Sequence, residues 1–180
     1  MSLVETINFI LSLLTVISLV LSVLLILLLI FKSSKFSKNI LLGFSKNVIY
    51  LTLLVVTIAM FGSLFYSEVA GYTPCKLCWY QRILIYPQVF LLWFAMIVKD
   101  KNIIKYILFL SLICIPLSFY HYLLQFSVVP EITCSVVGYS SGCSQNFTAT
   151  FGFVTIPLMA FSAVVINLLL SVVYLTHKPK

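Results

Sequence analysis

Long apolar runs alternate with short polar segments along the whole chain. Five of these runs reach membrane-spanning length, since a helix that crosses a bilayer needs about 20 mostly apolar residues. We expect the spans at Thr6–Phe31, Val48–Tyr66, Trp79–Val98, Ile103–Gln125 and Phe151–Leu175. The pattern therefore predicts an all-α membrane protein with five spans.

The composition supports a chain that is embedded in lipid. Of its 180 residues, 62% are hydrophobic and only 8% are charged, whereas about a quarter of the residues in soluble domains are charged. The formal net charge of +7 could indicate binding to nucleic acid, but the lysines form no basic stripe along any segment. We therefore expect membrane lipid, and no nucleic acid, as a partner.

The basic residues predict how the chain is oriented. Lysines occupy alternate loops and the C-terminal tail, at Lys32, Lys35, Lys38, Lys46, Lys99, Lys101, Lys105, Lys178 and Lys180. Since basic loops tend to remain in the cytoplasm, we predict a multi-pass cell membrane protein with an extracytoplasmic N-terminus and a cytoplasmic C-terminus. The first span has no basic residues before it and is too long for a signal peptide, so we expect a retained helix.

The positions of the cysteines along the chain support this orientation. Four of the five lie in polar loops and form two pairs that could make disulfides, Cys75 with Cys78 and Cys134 with Cys143, while Cys114 lies inside an apolar run. The charge pattern places both pairs on the extracytoplasmic side. Disulfides persist on that side of a membrane, so two independent patterns lead to the same topology.

Cys75 and Cys78 form a C-x-x-C dithiol at the start of the third span. Arg82 follows Cys78 by one helical turn, and Gln81 lies on the same face. We expect the helix N-terminus and the Arg82 guanidinium to favour a thiolate at Cys78. A disulfide between cysteines so close in sequence is strained and easily reduced, which favours a redox role over a structural one.

Three other interpretations remain open at this point. The C-x-x-C could be half of a zinc site completed by Cys134 and Cys143, although their wide spacing is unusual for zinc, and we predict no metal. Arg82 could be a cation that extends to the membrane surface. His121, level with the dithiol, could be an ordinary member of an aromatic belt or a donor to a cofactor oxygen.

Three segments of the sequence resemble the DsbB family of membrane disulfide-forming proteins, and its BdbC-type branch most closely. These are Thr73–Pro87, which contains the C-x-x-C and Arg82, and the shorter Tyr120–Gln125 and Phe151–Pro157. The resemblance implies a four-helix transmembrane bundle, a bound quinone and a thioredoxin-fold partner. The first span has no counterpart in that bundle. We therefore expect an additional helix and a cytoplasmic loop in residues 1–46, followed by the DsbB-like domain in residues 47–180.

The resemblance also assigns roles to residues. Cys75 and Cys78 match the quinone-linked pair, and Cys134 and Cys143 match the partner-facing pair. Arg82 and His121 match residues near the quinone. We also expect Gln81 there, because it lies on the same helix face as Cys78 and Arg82.

We therefore predict a membrane thiol-disulfide oxidoreductase. It would reoxidise an extracytoplasmic thioredoxin-fold oxidase and pass the electrons to ubiquinone or menaquinone, which supports disulfide formation in exported proteins. One alternative is an enzyme like vitamin K epoxide reductase, in which the C-x-x-C follows the loop pair. The other is a non-catalytic membrane helper whose disulfides stiffen its loops.

Overall fold

The computed structural model describes residues 2–31, 34–130 and 142–177, and these residues contain six helices. Five of them are long and apolar enough to cross a membrane, which confirms the predicted all-α fold with five spans. The helices are α1 (Leu3–Ile30), α2 (Lys35–Lys46), α3 (Val48–Leu64), α4 (Lys76–Val98), α5 (Ile103–Gln125) and α6 (Ile156–Thr176).

The short helix α2 was not predicted; its basic segment was expected to be a loop. It is amphipathic and buries Ser37, Leu41 and Ser45 on one face. It is only 12 residues long and contains three lysines, so it gives no signal in a pattern defined by apolar runs of membrane-spanning length. α2 packs against α6 and connects α1 to α3.

The helices α3, α4, α5 and α6 form a bundle in which α5 packs against α6 and α4 packs against both α3 and α5. α1 lies outside these four helices and packs along α6. Small polar residues such as Ser111, Ser118 and Ser162 are buried between the helices. In lipid, small side chains promote association because they let helix backbones approach closely. The division into residues 1–46 and 47–180 stays a prediction.

The bundle has two chemically different ends. One carries Cys75 and Cys143 and is called the cysteine end below; the other carries Lys46, Lys99 and Lys105 and is called the lysine end. At the cysteine end, a π-helical turn, Phe65–Val69, extends α3.

A ladder of aromatic rings joins the loops of the cysteine end. Tyr72 stacks on Tyr66 with ring centroids 5.9 Å apart, and Phe147 stacks on Tyr72 at 4.7 Å. Tyr72 belongs to the loop that precedes Cys75, and Phe147 follows Cys143 in the next loop. The ladder therefore holds the two cysteine-bearing loops side by side.

The last span begins later than the apolar pattern predicted. Residues 151–153 form a turn in which Gly152 has a φ of +78°, and Thr150 pairs with Val154 in a short antiparallel bridge. Glycine suits this position because a positive φ is unfavourable for residues with a Cβ. α6 then begins at Ile156, after the extended residue Thr155.

Candidate dithiol site

The dithiol lies at the N-terminus of α4. Cys75 is the N-cap residue, and its Sγ accepts a hydrogen bond of 3.3 Å from the backbone N–H of Cys78. The two sulfur atoms lie 3.0 Å apart, and both cysteines are free thiols. The first N–H groups of a helix lack partners within the helix, so the sulfur of Cys75 takes the place of a capping oxygen.

Cys75, rather than Cys78, therefore receives the stabilisation from the helix end. Hydrogen bonds from the Cys78 thiol, the His121 ring and the Cys78 backbone hold the pKa of Cys75 below its ordinary value, although burial acts in the opposite direction. The prediction that the helix end favours a thiolate at Cys78 was wrong. It placed Cys78 at the helix start, whereas α4 begins at Lys76.

His121 and Gln81 support the Cys75 sulfur from α5 and α4. Nε2 of His121 lies 3.5 Å from Cys75 Sγ, and Nδ1 lies 3.3 Å from Nε2 of Gln81. An amide nitrogen only donates hydrogen bonds, so Nδ1 accepts and the ring proton on Nε2 is directed at the sulfur. The ring of His121 is buried and contacts the dithiol, and its expected place near the quinone stays a prediction.

We expect His121→Ala to raise the pH at which Cys75 becomes a thiolate. Because a hydrogen bond to a charged group contributes roughly 1.5 kcal/mol or more, the midpoint should rise by about one pH unit. The pH dependence of Cys75 alkylation, followed by mass spectrometry of the labelled peptide, measures this midpoint. Below the midpoint the thiolate is lost, so labelling slows as the pH falls.

His177→Ala is the matched control, since His177 lies just after α6 at the lysine end. His121→Gln keeps a hydrogen-bond donor at this position, so its midpoint should lie between those of the parent protein and His121→Ala. Identical midpoints in the parent protein and in His121→Ala would contradict the assigned contact.

Arg82 is fixed by contacts with α3 and with two aromatic rings. Its Nε donates to Ser63 Oγ at 3.0 Å, and its Nη2 donates to the Ser63 carbonyl at 2.9 Å. The guanidinium carbon lies 5.3 Å from the ring centroid of Trp79 and 5.9 Å from that of Tyr86. A cation within a membrane span needs such partners, and they hold Arg82 in place rather than leaving it extended into water.

Arg82, Gln81 and Cys78 line a cavity of about 320 Å³ between α1, α3, α4 and α6. Small-molecule sites typically measure roughly 300–1,000 Å³. Most of the wall is aliphatic, and most of its polar side chains lie toward the cysteine end. The polar residues at that end are Ser63, Tyr66, Ser67, Tyr72, Thr73, Cys78, Gln81 and Arg82, and the wall also includes Thr15, Ser18 and Ser162. The cavity therefore suits a flat apolar ring with oxygen acceptors at one edge.

Cys78 is the cysteine that faces this cavity. Within the described ranges, the cavity lining includes neither Cys75 nor His121. Ser63 was not predicted as a site residue, and its only signal in the sequence is a serine beside a glycine near the end of an apolar span. The residues that α1 contributes to the wall were not predicted either.

Of the second predicted pair, only Cys143 lies among the described residues. This residue is disulfide-bonded and buried, and it packs in one small cluster with Cys75, Leu77 and Leu124. Cys134 lies outside the described residues, so its pairing with Cys143 stays a prediction. Cys114 is a buried free thiol 3.6 Å from Ser118 Oγ, as expected for a packing residue.

The dithiol also has the donor set of a metal site. The ligand atoms of Cys75, Cys78 and His121 all lie within 4.8 Å of one another, so they could hold a metal ion. This set differs from the zinc site considered above, in which Cys134 and Cys143 would complete the coordination. That the protein binds no metal stays a prediction.

Comparison with known proteins identifies the family. The family model described as "Disulfide bond formation protein DsbB" matches residues 45–176. A "Probable disulfide formation protein C" of Halalkalibacterium halodurans is 41% identical over 67% of this chain and 87% of its own length. A "Probable disulfide formation protein" of Oceanobacillus iheyensis is 42% identical over 74% of this chain and 92% of its own length.

A third relative, "Disulfide bond formation protein C" of Bacillus subtilis, is 39% identical over 66% of this chain and 85% of its own length. No solved structure is significantly similar to this one. Two of these three relatives carry the C-type name, in agreement with the resemblance to the BdbC-type branch. The chain therefore belongs to the DsbB family of disulfide bond formation proteins, and it is a multi-pass membrane oxidoreductase of that family.

Proposed function

We propose that this protein reoxidises an extracytoplasmic dithiol oxidase of the thioredoxin fold and transfers the electrons to a quinone. The observation that supports this most directly is the position of Cys78, one sulfur of a buried dithiol, in the wall of an apolar cavity beside Arg82. Membership of the DsbB family favours this function over that of an enzyme like vitamin K epoxide reductase or of a non-catalytic helper.

In this proposal the cysteine end is extracytoplasmic. Lys46, Lys99, Lys101 and Lys105 lie at the opposite end of the bundle, where the positive-inside tendency favours the cytoplasm. A soluble partner then reaches the loop with Cys134 and Cys143, while a lipid-soluble ligand reaches the cavity from the bilayer.

Electrons enter at the second cysteine pair. A thiolate of the reduced partner attacks the disulfide between Cys134 and Cys143; the partner becomes a disulfide and this pair becomes a dithiol. Cys143 and Cys75 belong to the same small buried cluster, so in this proposal the thiolate of Cys143 attacks Cys75 of the Cys75–Cys78 disulfide and Cys78 leaves. Cys134 then attacks Cys143 of this mixed disulfide, which closes the second pair again and releases Cys75. A thiol with a lowered pKa is a good leaving group in such an exchange, and Cys75 has that property.

Electrons leave at Cys78, which faces the cavity. When the dithiol returns to a disulfide, it releases two electrons and two protons. A quinone supplies the chemistry that side chains lack, since it accepts both electrons and both protons. Arg82 and Gln81 would hold its oxygens at the polar end of the cavity. There the guanidinium favours negative charge, and the aliphatic walls exclude water.

A direct test mixes the purified protein in lipid nanodiscs with a reduced thioredoxin-fold partner and either ubiquinone or menaquinone. We expect the quinone absorbance to change as the partner is oxidised, with equal molar amounts of quinone reduced and partner disulfide formed. The same partner in its oxidised form is the control and should produce no change. Oxidation of the partner without reduction of either quinone would refute the proposal.

A further inference from the structure

The N-terminal helix α1 forms part of the wall of the cavity, although it lies outside the matched residues 45–176. Six α1 residues line the cavity: Leu11, Leu14, Thr15, Ile17, Ser18 and Leu21. They recur every three or four positions and therefore lie on one face of the helix. The cavity beside Cys78 is consequently closed on one side by a helix that the four-helix bundle does not contain.

Specific hydrogen bonds fix α1 in this position. Ser18 Oγ donates to the Ser162 carbonyl on α6 at 3.3 Å. Nearer the cysteine end, Asn8 Nδ2 donates to Thr150 Oγ1 at 2.9 Å and Asn8 Oδ1 accepts from the Tyr66 hydroxyl at 2.9 Å. Tyr66 also lines the cavity, so these contacts hold α1 at a set distance from the site.

The polarity of the cavity changes along the helix axes. Near the cysteine end its lining includes Arg82, Gln81 and Tyr72; toward the middle of the bundle it includes Leu21, Leu54 and Ile166. Ile166 lies ten residues beyond the start of α6 and Leu54 ten residues before the end of α3, which puts both at mid-membrane depth at about 1.5 Å per residue. Such a gradient matches a ligand with a polar ring and an apolar tail.

A second groove lies beside this cavity, between α1 and α3. It shares Leu11, Ile58 and Gly62 with the cavity and continues to Ile7 and Phe61 on the surface of the bundle. The two helices approach closely at Gly62, where an added Cβ would lie 3.2 Å from Cδ1 of Leu11. Glycine thus allows α1 to pack against α3, which holds α1 in the wall of the cavity.

We infer that α1 binds the isoprenoid tail of the quinone, with the tail lying between α1 and α3 and the ring at Arg82. This inference rests on the proposed function and deepens it, because it assigns a role to a helix outside the family's matched region. Leu14 and Ile17 contact the tail from α1, and Leu54 and Ile58 contact it from α3.

Photo-crosslinking in the full-length protein tests the position of the tail. The photoreactive residue p-benzoylphenylalanine, which attacks nearby C–H bonds, replaces Leu14, Leu54 or Leu13 in separate variants. All three residues are exposed, but only Leu14 and Leu54 line the cavity, whereas Leu13 of α1 lines neither the cavity nor the groove. Irradiation in nanodiscs that contain a tailed quinone, followed by mass spectrometry, reports the adducts.

We expect quinone adducts at positions 14 and 54 at levels at least roughly tenfold above position 13, since only the first two face the bound tail. Adducts at position 54 without an excess at position 14 would overturn the role of α1 while leaving the quinone cavity intact. No excess at either position would overturn the quinone cavity together with this inference.

Ligand affinity provides a second measurement that does not depend on crosslinking. The chain has two tryptophans, so Trp93→Phe leaves Trp79, next to Arg82, as the only tryptophan. Its fluorescence then reports quinone binding. In this background, the double variant Leu14→Ala/Ile17→Ala should bind a tailed quinone roughly tenfold more weakly, because apolar contact area is lost. Its affinity for a tail-less quinone should be unchanged, and Leu13→Ala should alter neither. Equal losses for both quinones would overturn the inference.

Discussion

Replacing either cysteine of the dithiol with serine should abolish quinone reduction, and the two variants should stop at different steps. A serine hydroxyl cannot form a disulfide, so we expect turnover to fall on the order of a thousandfold or more in both. In Cys78→Ser, Cys75 remains in the same buried cluster as Cys143 and should accumulate in a disulfide with the second pair. In Cys75→Ser, the remaining thiol faces the cavity, and that trapped disulfide should be much less abundant.

Mass spectrometry of the disulfide-linked peptides, together with quinone absorbance, measures both effects. Cys114→Ser is the matched control, since it removes a buried thiol that lies in neither pair and should leave turnover near normal. Normal turnover in either dithiol variant would refute the proposed route of electrons. Equal amounts of trapped disulfide in both variants would refute the separate positions assigned to Cys75 and Cys78.

The sequence predicts the spans well because lipid requires long apolar helices, and these leave a clear signal in the chain. It also locates the dithiol, since the C-x-x-C is local and its neighbours are ordered by the helix repeat. Gln81 and Arg82 thus fall near Cys78, as expected from their spacing alone. Helix α2 was not predicted because it is only 12 residues long and contains three lysines, so it lacks the long apolar run by which the spans are found.

The sequence could not predict which contacts form between helices. His121 and Cys75 are 46 positions apart, and only the packing of α5 on α4 brings the ring to the sulfur. Arg82 similarly contacts Ser63 on a preceding helix. The choice of Cys75 as the capping residue depends on where α4 begins, and helix ends are the least certain part of any sequence-based assignment. These tertiary contacts decide which sulfur carries the charge.

The bidentate contact between Arg82 and Ser63 leads to the last prediction. Two hydrogen bonds hold the guanidinium in the cavity wall, and a shorter side chain could not maintain both of them. We therefore expect Arg82→His to raise the KM for quinone by roughly tenfold or more, the effect of losing a hydrogen bond to a charged group. Exchange with the partner depends on the cysteines rather than on this cation, so its rate should change by less than about twofold.

Two measurements separate these effects. One is steady-state turnover at varied quinone concentration; the other is a single exchange between the oxidised protein and the reduced partner without quinone. Arg82→Lys should lie between Arg82→His and the parent protein, because lysine keeps the charge but loses the forked geometry. Lys105→Ala, which removes a cation at the lysine end, should affect neither reaction. If Arg82→His slows both reactions equally, Arg82 maintains the structure of the dithiol region rather than holding the quinone. A residue whose role is to hold the quinone should not slow an exchange that takes place at Cys75.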